Sequence, residues 1–186
     1  ILNINLVDLK VLDVGCGTGI LSILSEKKGA SIIDAVDIDQ WCFENTRENT
    51  YLNDCKFITA YCGDITLFRK SKYDIILANI NKNVIIDDIC IYNDLLNAGG
   101  QLIISGFYEN DFVDINNIAK SFKLEFVSKK VNNLWASIHY IKKQIISNLG
   151  LSNEEKMGWT LGQGLGKQNQ GNNTNICKEH EFLYVV

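Results

Sequence analysis

The stretch Asp13-Val-Gly-Cys-Gly-Thr-Gly19 decides the fold, because it joins an apolar run to a stretch with helical periodicity. The apolar run at residues 11–14 is typical of a buried strand, and residues 20–28 form the predicted helix. Glycines between the two let the chain turn tightly and let a ligand approach the backbone without a Cβ in the way. The N-terminus of the helix adds free N–H groups and a partial positive charge, which favour a carboxylate.

The spacing of Gly15, Gly17 and Gly19 distinguishes this loop from two common phosphate sites. A dinucleotide fingerprint places its third glycine three positions after the second, where this chain has Ile20. A P-loop would continue as Gly-Lys-Ser or Gly-Lys-Thr, and the sequence does not. The spacing resembles motif I of the class I methyltransferases, which implies a site for S-adenosylmethionine at Asp13, Gly15, Gly17 and Gly19. A tight turn without a ligand is the alternative.

Acidic residues follow the next two predicted strands. Asp37 lies about 20 residues past the loop, where a carboxylate can accept hydrogen bonds from ribose hydroxyls; a strand-end surface acid is the alternative. Ile38 would then lie beside the adenine ring, and we expect Asp39 to cap the next helix. Asp64 follows the third strand, where a carboxylate can meet the adenine amino group, and a simple turn is the other interpretation.

Strand–helix alternation along the chain predicts a doubly wound α/β fold. Nearly continuous apolar runs predict buried parallel strands at residues 11–14, 32–36, 57–61, 75–78 and 102–104. Helical spacing predicts two sheet-packing faces: Val84, Ile85, Ile89, Tyr92 and Leu96 in one helix, and Phe112, Ile115, Ala119 and Phe122 in the next. Trp41 and Phe43 open the second helix, and we expect both to pack in the core.

Two further apolar runs, residues 124–128 and 134–141, follow the fifth strand and its helix. The linker between them, residues 129–133, is too short for a helical crossover, so we expect an antiparallel pair at the sheet edge. The predicted fold is therefore a doubly wound, mostly parallel sheet with a C-terminal antiparallel hairpin, and the resemblance of the loop to motif I implies the Rossmann-like form of the class I methyltransferases. A dehydrogenase does not have this arrangement.

The composition narrows the classes of function. A net charge of −4 argues against unaided electrostatic capture of nucleic acid. The six cysteines are scattered without a CxxC pair and the chain has two histidines, so we expect reduced thiols, no metal site and a cytoplasmic protein. No apolar run approaches the roughly 20 residues of a membrane helix, so we expect no membrane association.

Four separated strings resemble the ribosomal protein L11 methyltransferases (PrmA type), most closely the form found in Bacteroidetes. They are Asp37-Ile-Asp-Gln-Trp-Cys-Phe-Glu-Asn-Thr46, Ala78-Asn-Ile-Asn-Lys-Asn83, Ser105-Gly-Phe-Tyr-Glu-Asn-Asp111 and Asn132-Asn-Leu-Trp-Ala136. The resemblance covers residues 10 to about 143 and defines a methyltransferase domain of residues 1–143. Unlike members of the family, the sequence shows no upstream substrate-recognition domain. We therefore expect an N-terminally truncated form, whose activity on a ribosomal protein is in question.

The resemblance implies transfer of methyl groups from S-adenosylmethionine to amino groups of a ribosomal protein. Gly15 and Asp37 would contact the cofactor, and Asn79 would act where cofactor and substrate meet. An asparagine at the carboxyl end of a parallel strand faces the ligand crevice, so its amide can orient an amine lone pair. A helix cap is the alternative for this residue. The cofactor-binding set is Asp13, Gly15, Gly17, Gly19, Asp37, Ile38, Asp64 and Asn79, with Asn79 also the catalytic candidate.

The tail, residues 144–186, is rich in glycine and has too few apolar residues for a core of its own. Met157-Gly-Trp159 and Gly162-Gln-Gly-Leu-Gly-Lys167 resemble the G-patch, a short module of RNA-processing proteins, and a disordered tail is the alternative. The resemblance implies binding to a DEAH-box helicase or RNA. Asn153 and Glu154 replace the leucines of the usual brace helix, which weakens apolar docking. The competing function is thus an adaptor with a non-catalytic Rossmann scaffold.

Overall fold

The computed structural model describes residues 4–144 as one seven-stranded sheet with helices between the strands. The strands are β1 Lys10–Val14, β2 Ile32–Asp37, β3 Ile58–Cys62, β4 Tyr73–Asn79, β5 Leu96–Tyr108, β6 Leu124–Asn132 and β7 Trp135–Lys142. The helices are α1 Ile20–Lys27, α2 Gln40–Leu52, α3 Lys82–Leu95 and α4 Phe112–Ser121, with single 3₁₀ turns at Ile65–Phe68 and Glu109–Asp111. The interpretation of the tail as a G-patch lies outside the described residues.

The sheet has the strand order β3-β2-β1-β4-β5-β7-β6. Strands β1 to β5 pair in parallel, and β7 pairs antiparallel with both β5 and β6. The order reverses between β1 and β4, and in open α/β sheets ligands bind outside the carboxyl ends of strands at such a switch point. The predicted Rossmann-like class with a C-terminal hairpin is confirmed. None of the helices in residues 4–144 is long and apolar enough to cross a membrane.

The hairpin is tighter than the sequence predicted. Residues 129–133 were expected to form a linker, but β6 continues through residues 129–132 and Asn132 pairs with Trp135. The turn consists of Asn133 and Leu134 alone, with φ values of 48° and 71°. Two left-handed residues give a turn whose twist matches that of paired antiparallel strands. This turn could not be predicted from the sequence, because leucine, unlike glycine, rarely adopts a left-handed backbone conformation.

The core lies on both faces of the sheet. On one face α3 and α4 contribute Ile85, Ile89, Tyr92, Ile115 and Ala119 to the larger apolar cluster. Two residues predicted to lie on the sheet-packing face of α3 do not do so: Val84 is exposed, and Leu96 is the first residue of β5. A smaller cluster on Leu6, Val11 and Ile33 fills the other face.

The expectation that Trp41 packs in the core is wrong. Its side chain is 67% exposed, and that of Phe43 is half-buried. Trp41 lies in the first turn of α2, beside the carboxyl edge of the sheet rather than over a strand. Thr46 is instead the buried residue of this helix. The apolar character of Trp41 therefore did not decide its place, and within residues 4–144 its side chain stays exposed in the first turn of the helix.

A buried polar cluster ties together the amino ends of three central strands. Tyr73 on β4 donates its hydroxyl proton to Asp34 Oδ2 on β2 at 2.7 Å. Lys10 on β1 lies 3.6 Å from the same carboxylate and 4.6 Å from the centre of the Tyr73 ring. Burial, together with the negative Asp34, raises the pKa of the Tyr73 hydroxyl well above its usual value, so it remains a donor. The cluster thus links β1, β2 and β4, the strands that carry the candidate site.

Replacing Tyr73 with phenylalanine is expected to destabilise the fold by about 1–3 kcal/mol, because the buried Asp34 carboxylate loses its shortest hydrogen bond. The free energy of unfolding in urea, compared with wild type at pH 7, measures this loss. The matched control is Tyr140→Phe, since the Tyr140 hydroxyl is equally buried but has no hydrogen-bond partner in residues 4–144. The control is expected to be neutral or stabilising, and equal losses in both variants would contradict the assignment.

Candidate functional site

The glycine loop, residues 15–19, lies at the carboxyl end of β1 between β2 and β4. Its first residue, Gly15, has a φ of 67° and donates its N–H to Val36 O at 2.9 Å. A methyl group on Gly15 would lie 2.3 Å from Ile80 Cγ2, directly after β4. The absence of a side chain therefore lets the loop close against β4, as the tight turn predicted from the sequence requires.

Gly17 lies on the opposite, open side of the loop. Its φ is 56°, and a methyl group in place of its hydrogen would meet no atom of the described residues within 4 Å. Its N–H donates to Asp37 Oδ2 at 2.9 Å. The loop is thus fixed from β2 while its outer surface stays accessible, which leaves space for a ligand to approach the backbone.

Asp37 ends β2 and serves as an acceptor for two backbone groups. Oδ2 takes the Gly17 N–H, and Oδ1 takes the N–H of Asp39 at 3.0 Å. The Cys42 thiol also interacts with this carboxylate. Because a carboxylate has about four acceptor positions, Asp37 keeps acceptor capacity for a ligand hydroxyl. Ile38, the next residue, is 79% exposed and presents an apolar surface beside this acid. Asp39 accepts from Trp41 N at 2.7 Å and caps α2, as predicted.

Asp13 lies beneath the loop, not on its surface. Only 1% of it is exposed, and Ser22 Oγ of α1 donates to its Oδ2 at 2.6 Å. Oδ1 is buried and has no hydrogen-bond partner in residues 4–144. Burial raises the pKa of Asp13 to about 6, while hydrogen bonds from Ser22 act in the opposite direction. Burial thus disfavours the charged form of this carboxyl, and Oδ1 is enclosed by protein and not exposed to a ligand on the surface of the loop.

Asp64 lies in an exposed turn close to Asp37. Gly63 N–H donates to Asp37 O at 2.9 Å, which holds this turn against the end of β2. Asp64 Oδ1 accepts from Thr66 N at 2.8 Å and from the Thr66 hydroxyl at 2.5 Å. The side chain thus caps the following 3₁₀ turn, as the simple-turn interpretation predicts. Its second oxygen, Oδ2, takes no part in that cap.

Asn79 ends β4, on the other side of the loop from Asp37. Its Oδ1 accepts a hydrogen bond from Ser105 Oγ of β5 at 2.9 Å. The alternative that Asn79 caps α3 is wrong, because Asn81 is the cap and accepts from Val84 N at 3.2 Å. Asn79 instead lines an open groove of about 600 Å³. The groove continues over the hairpin and includes Ser105, Gly106, Lys130, Val131, Asn132, Trp135, Ala136 and Ser137.

An aromatic pair beside this groove was missed by the sequence reasoning. Tyr108 at the end of β5 lies opposite Trp135 at the start of β7, and their ring centres are 4.6 Å apart. Both side chains are about half exposed. An ion pair between Lys129 and Glu109, 2.7 Å long, holds the hairpin to the end of β5. The sequence could have indicated this pair only through two aromatic residues near predicted strands. Their contact depends on the register between β5 and β7, which cannot be read from the sequence.

The structure therefore divides the predicted residues into two groups. The loop glycines, Asp37 and Ile38 form one continuous surface at the ends of β1 and β2, with Asp13 below it and Asp64 at its margin. Asn79 lies across the loop, where Gly15 contacts Ile80, and opens toward the groove of the hairpin. Such an arrangement can bind one ligand across the loop and present it to a second molecule in the groove.

Comparisons with known proteins agree with this geometry. The family model for ribosomal protein L11 methyltransferase (PrmA) matches residues 3–143, and that for the G-patch domain matches residues 155–179. The L11 methyltransferase of Porphyromonas gingivalis is 43% identical over 141 residues, 75% of this chain and 49% of the relative. That of Phocaeicola vulgatus is 41% identical over 140 residues, 73% of this chain and 50% of the relative. The chain spans about half the length of these curated relatives.

The solved structures include a ribosomal protein L11 methylase from Lactobacillus delbrueckii subsp. bulgaricus. It is similar to this chain with a TM-score of 0.70 and 29% sequence identity, over 73% of this chain and 71% of its own. The fold, the loop spacing and the four sequence strings thus agree with a family match over residues 3–143, which is more than half of the 186 residues. The chain belongs to the ribosomal protein L11 methyltransferase (PrmA) family.

Proposed function

We propose that this chain binds S-adenosylmethionine at the glycine loop and transfers its methyl group to an amino group of a protein, with ribosomal protein L11 as the substrate that the family name indicates. The observation that carries the proposal is the 2.9 Å hydrogen bond from Gly17 to Asp37, which joins the open loop and the acid of β2 into one surface. We also propose a cytoplasmic location, since the proposed substrate is a ribosomal protein.

The residues on this surface fit the parts of that cofactor. The open side of Gly17 would allow the close approach of the ligand, and the remaining acceptor capacity of Asp37 would serve the ribose hydroxyls. The exposed Ile38 side chain would lie beside the adenine, and the second oxygen of Asp64 would be available to its amino group. The buried carboxyl of Asp13 would support the loop from beneath the methionine moiety, through its hydrogen bond from Ser22. When bound, the cofactor supplies an electrophilic methyl group on a sulfonium.

Asn79 is the proposed catalytic residue because it lies between the loop and the groove. Ser105 holds its Oδ1 from one side, which fixes the amide and leaves a second lone pair for an amine N–H of the substrate. An amine held in this way keeps its own lone pair directed toward the loop. Positioning of this kind can account for roughly 7–11 kcal/mol of an activation barrier, so the reaction needs little covalent help from the protein.

The aromatic pair Tyr108 and Trp135 is proposed to line the path of the substrate amine. Trp135 lines the groove that contains Asn79, the Tyr108 ring lies 4.6 Å from the Trp135 ring, and about half of each side chain is exposed. An aromatic face attracts an ammonium or a methylated ammonium group by its quadrupole. The groove therefore suits the amine of a lysine-like side chain or of a chain N-terminus, which would give its proton to solvent in the open groove before it reaches Asn79, since Lys130 in the lining disfavours a second positive charge.

Replacing Asp37 with alanine is expected to weaken the binding of S-adenosylmethionine by at least tenfold. Charge-assisted hydrogen bonds to a carboxylate contribute roughly 1.5–3 kcal/mol, and the variant also loses the bond that fixes Gly17. Isothermal titration calorimetry of the full chain measures the dissociation constant.

The control for Asp37 is Asp39→Ser, which removes a carboxylate two residues away but keeps a residue able to cap α2. Its affinity for the cofactor is expected to remain within about twofold of wild type. A wild-type chain that does not bind S-adenosylmethionine would overturn the proposed function.

Replacing Asn79 with alanine is expected to slow methyl transfer by about 10²-fold or more while the affinity for S-adenosylmethionine stays near the wild-type value, because the residue orients the amine and not the cofactor. Transfer of a tritiated methyl group to purified bacterial ribosomal protein L11 measures the rate. Asn81→Ser, which keeps the cap of α3, is the control. The role of Asn79 is refuted if its alanine variant labels the protein as fast as wild type.

A second candidate function is supported by the G-patch match at residues 155–179. In this alternative the tail recruits a DEAH-box helicase or RNA, and the Rossmann domain is a scaffold. Wild-type chain is expected to retain such a helicase in a pull-down, and Trp159→Ala or Leu165→Glu to release it, because each substitution removes a large apolar side chain from the module. Asp37→Ala is the control that should retain it. A helicase held equally by wild type and Trp159→Ala would exclude this role of the tail.

A further inference from the structure

We infer that two side chains of α2, Thr46 and Asn49, are positioning residues that hold the glycine loop in its ligand-binding conformation. The expected effect of these residues on ligand binding rests on the proposed binding of S-adenosylmethionine. Its structural part, the ordering of the loop by α2, stands on hydrogen bonds within the protein. Neither residue was singled out by the sequence, because both lie about 30 positions beyond the loop that they contact.

Thr46 contacts the middle of the loop. It is fully buried, and its hydroxyl donates to Gly17 O at 3.0 Å. The thiol of Cys16 lies 3.3 Å from the same hydroxyl oxygen, so Thr46 can donate to one loop residue and accept from another. Its methyl group would lie 3.0 Å from a Cβ at Gly19, which shows that the helix also packs against the end of the loop.

Asn49 contacts the next peptide of the loop. Its Nδ2 donates to Thr18 O at 2.9 Å. Asn45 and Asn53, one turn before and after it on α2, make hydrogen bonds of similar length, but to the helix itself: their acceptors are Trp41 O and Asn49 O, both at 2.8 Å. Of these three asparagines, the middle one alone reaches the loop, which makes the other two matched controls.

The two bonds set the direction of consecutive loop peptides. In a planar trans peptide the carbonyl of one residue and the N–H of the next point in opposite directions. Because Thr46 holds the Gly17 carbonyl toward α2, the N–H of Thr18 points away from α2. Three glycines in five residues give this loop many accessible conformations. Without the two side chains, the loop would adopt its ligand-binding conformation in a smaller fraction of the molecules. The apparent affinity for a ligand would fall in proportion to that fraction.

The test measures the order of the loop and the affinity for S-adenosylmethionine in the full chain. Asn49→Ala and Thr46→Val are each expected to speed hydrogen exchange of the Gly17 and Gly19 amides and to weaken cofactor binding by about fivefold to tenfold, which is the usual effect of one lost hydrogen bond. Thr46→Ser keeps the hydroxyl and should restore both properties. Asn45→Ala and Asn53→Ala should change neither.

The outcomes separate this inference from the proposed function. Loop exchange and affinity that are the same in Asn49→Ala and Asn45→Ala would overturn the positioning role of Asn49. A Thr46→Ser variant that behaves like Thr46→Val would overturn the role of the hydroxyl. If the wild-type chain does not bind S-adenosylmethionine, the proposed function fails, and hydrogen exchange in the ligand-free chain still decides whether α2 orders the loop.

Discussion

The hydrogen bond from Gly17 N–H to Asp37 Oδ2 connects the two strand ends on which the rest of the site depends. The loop follows β1 and the acid ends β2, so this bond closes the carboxyl edge of the sheet on one side. On the other side β1 neighbours β4, and Gly15 lies against Ile80 there. The reversal of strand order at β1 thus produces a loop that is held from both neighbours and remains open above Gly17. A side chain at Gly15 would prevent this closure.

Two acids with different environments support the loop. Asp37 is partly exposed and accepts two backbone N–H groups while keeping acceptor positions for a ligand. Asp13 is buried, and this burial raises its pKa to about 6 against the opposing effect of Ser22. The buried acid anchors α1 to β1 through Ser22, so the helix whose N-terminus borders the loop cannot shift. Anchoring and ligand contact are therefore divided between two carboxylates, and the polar residues of α2 complete the support from the third side.

The antiparallel strands β6 and β7 provide a groove that a purely parallel sheet would lack. Inserting β7 between β5 and β6 brings Trp135 opposite Tyr108, and a register shift between Ser105 and Phe107 leaves room for Gly106 with a φ of 94°. A methyl group on that glycine would lie 2.6 Å from Ile80 O, so β5 and the end of β4 approach closely just where Asn79 is held. The groove beside Asn79 thus follows from the hairpin and the bulge together.

The sequence by itself determined the features that depend on neighbouring residues. Apolar runs located the strands, glycine spacing identified the loop, and Asp39 was recognised as a helix cap because its partner lies two positions away. Tertiary structure alone decided the partners that lie far apart in the chain: Asp37 with Gly17, Asn79 with Ser105, and Tyr108 with Trp135. The physical reason is that periodicity records which face of an element is buried, whereas a hydrogen bond or ring contact between distant residues depends on strand order and register.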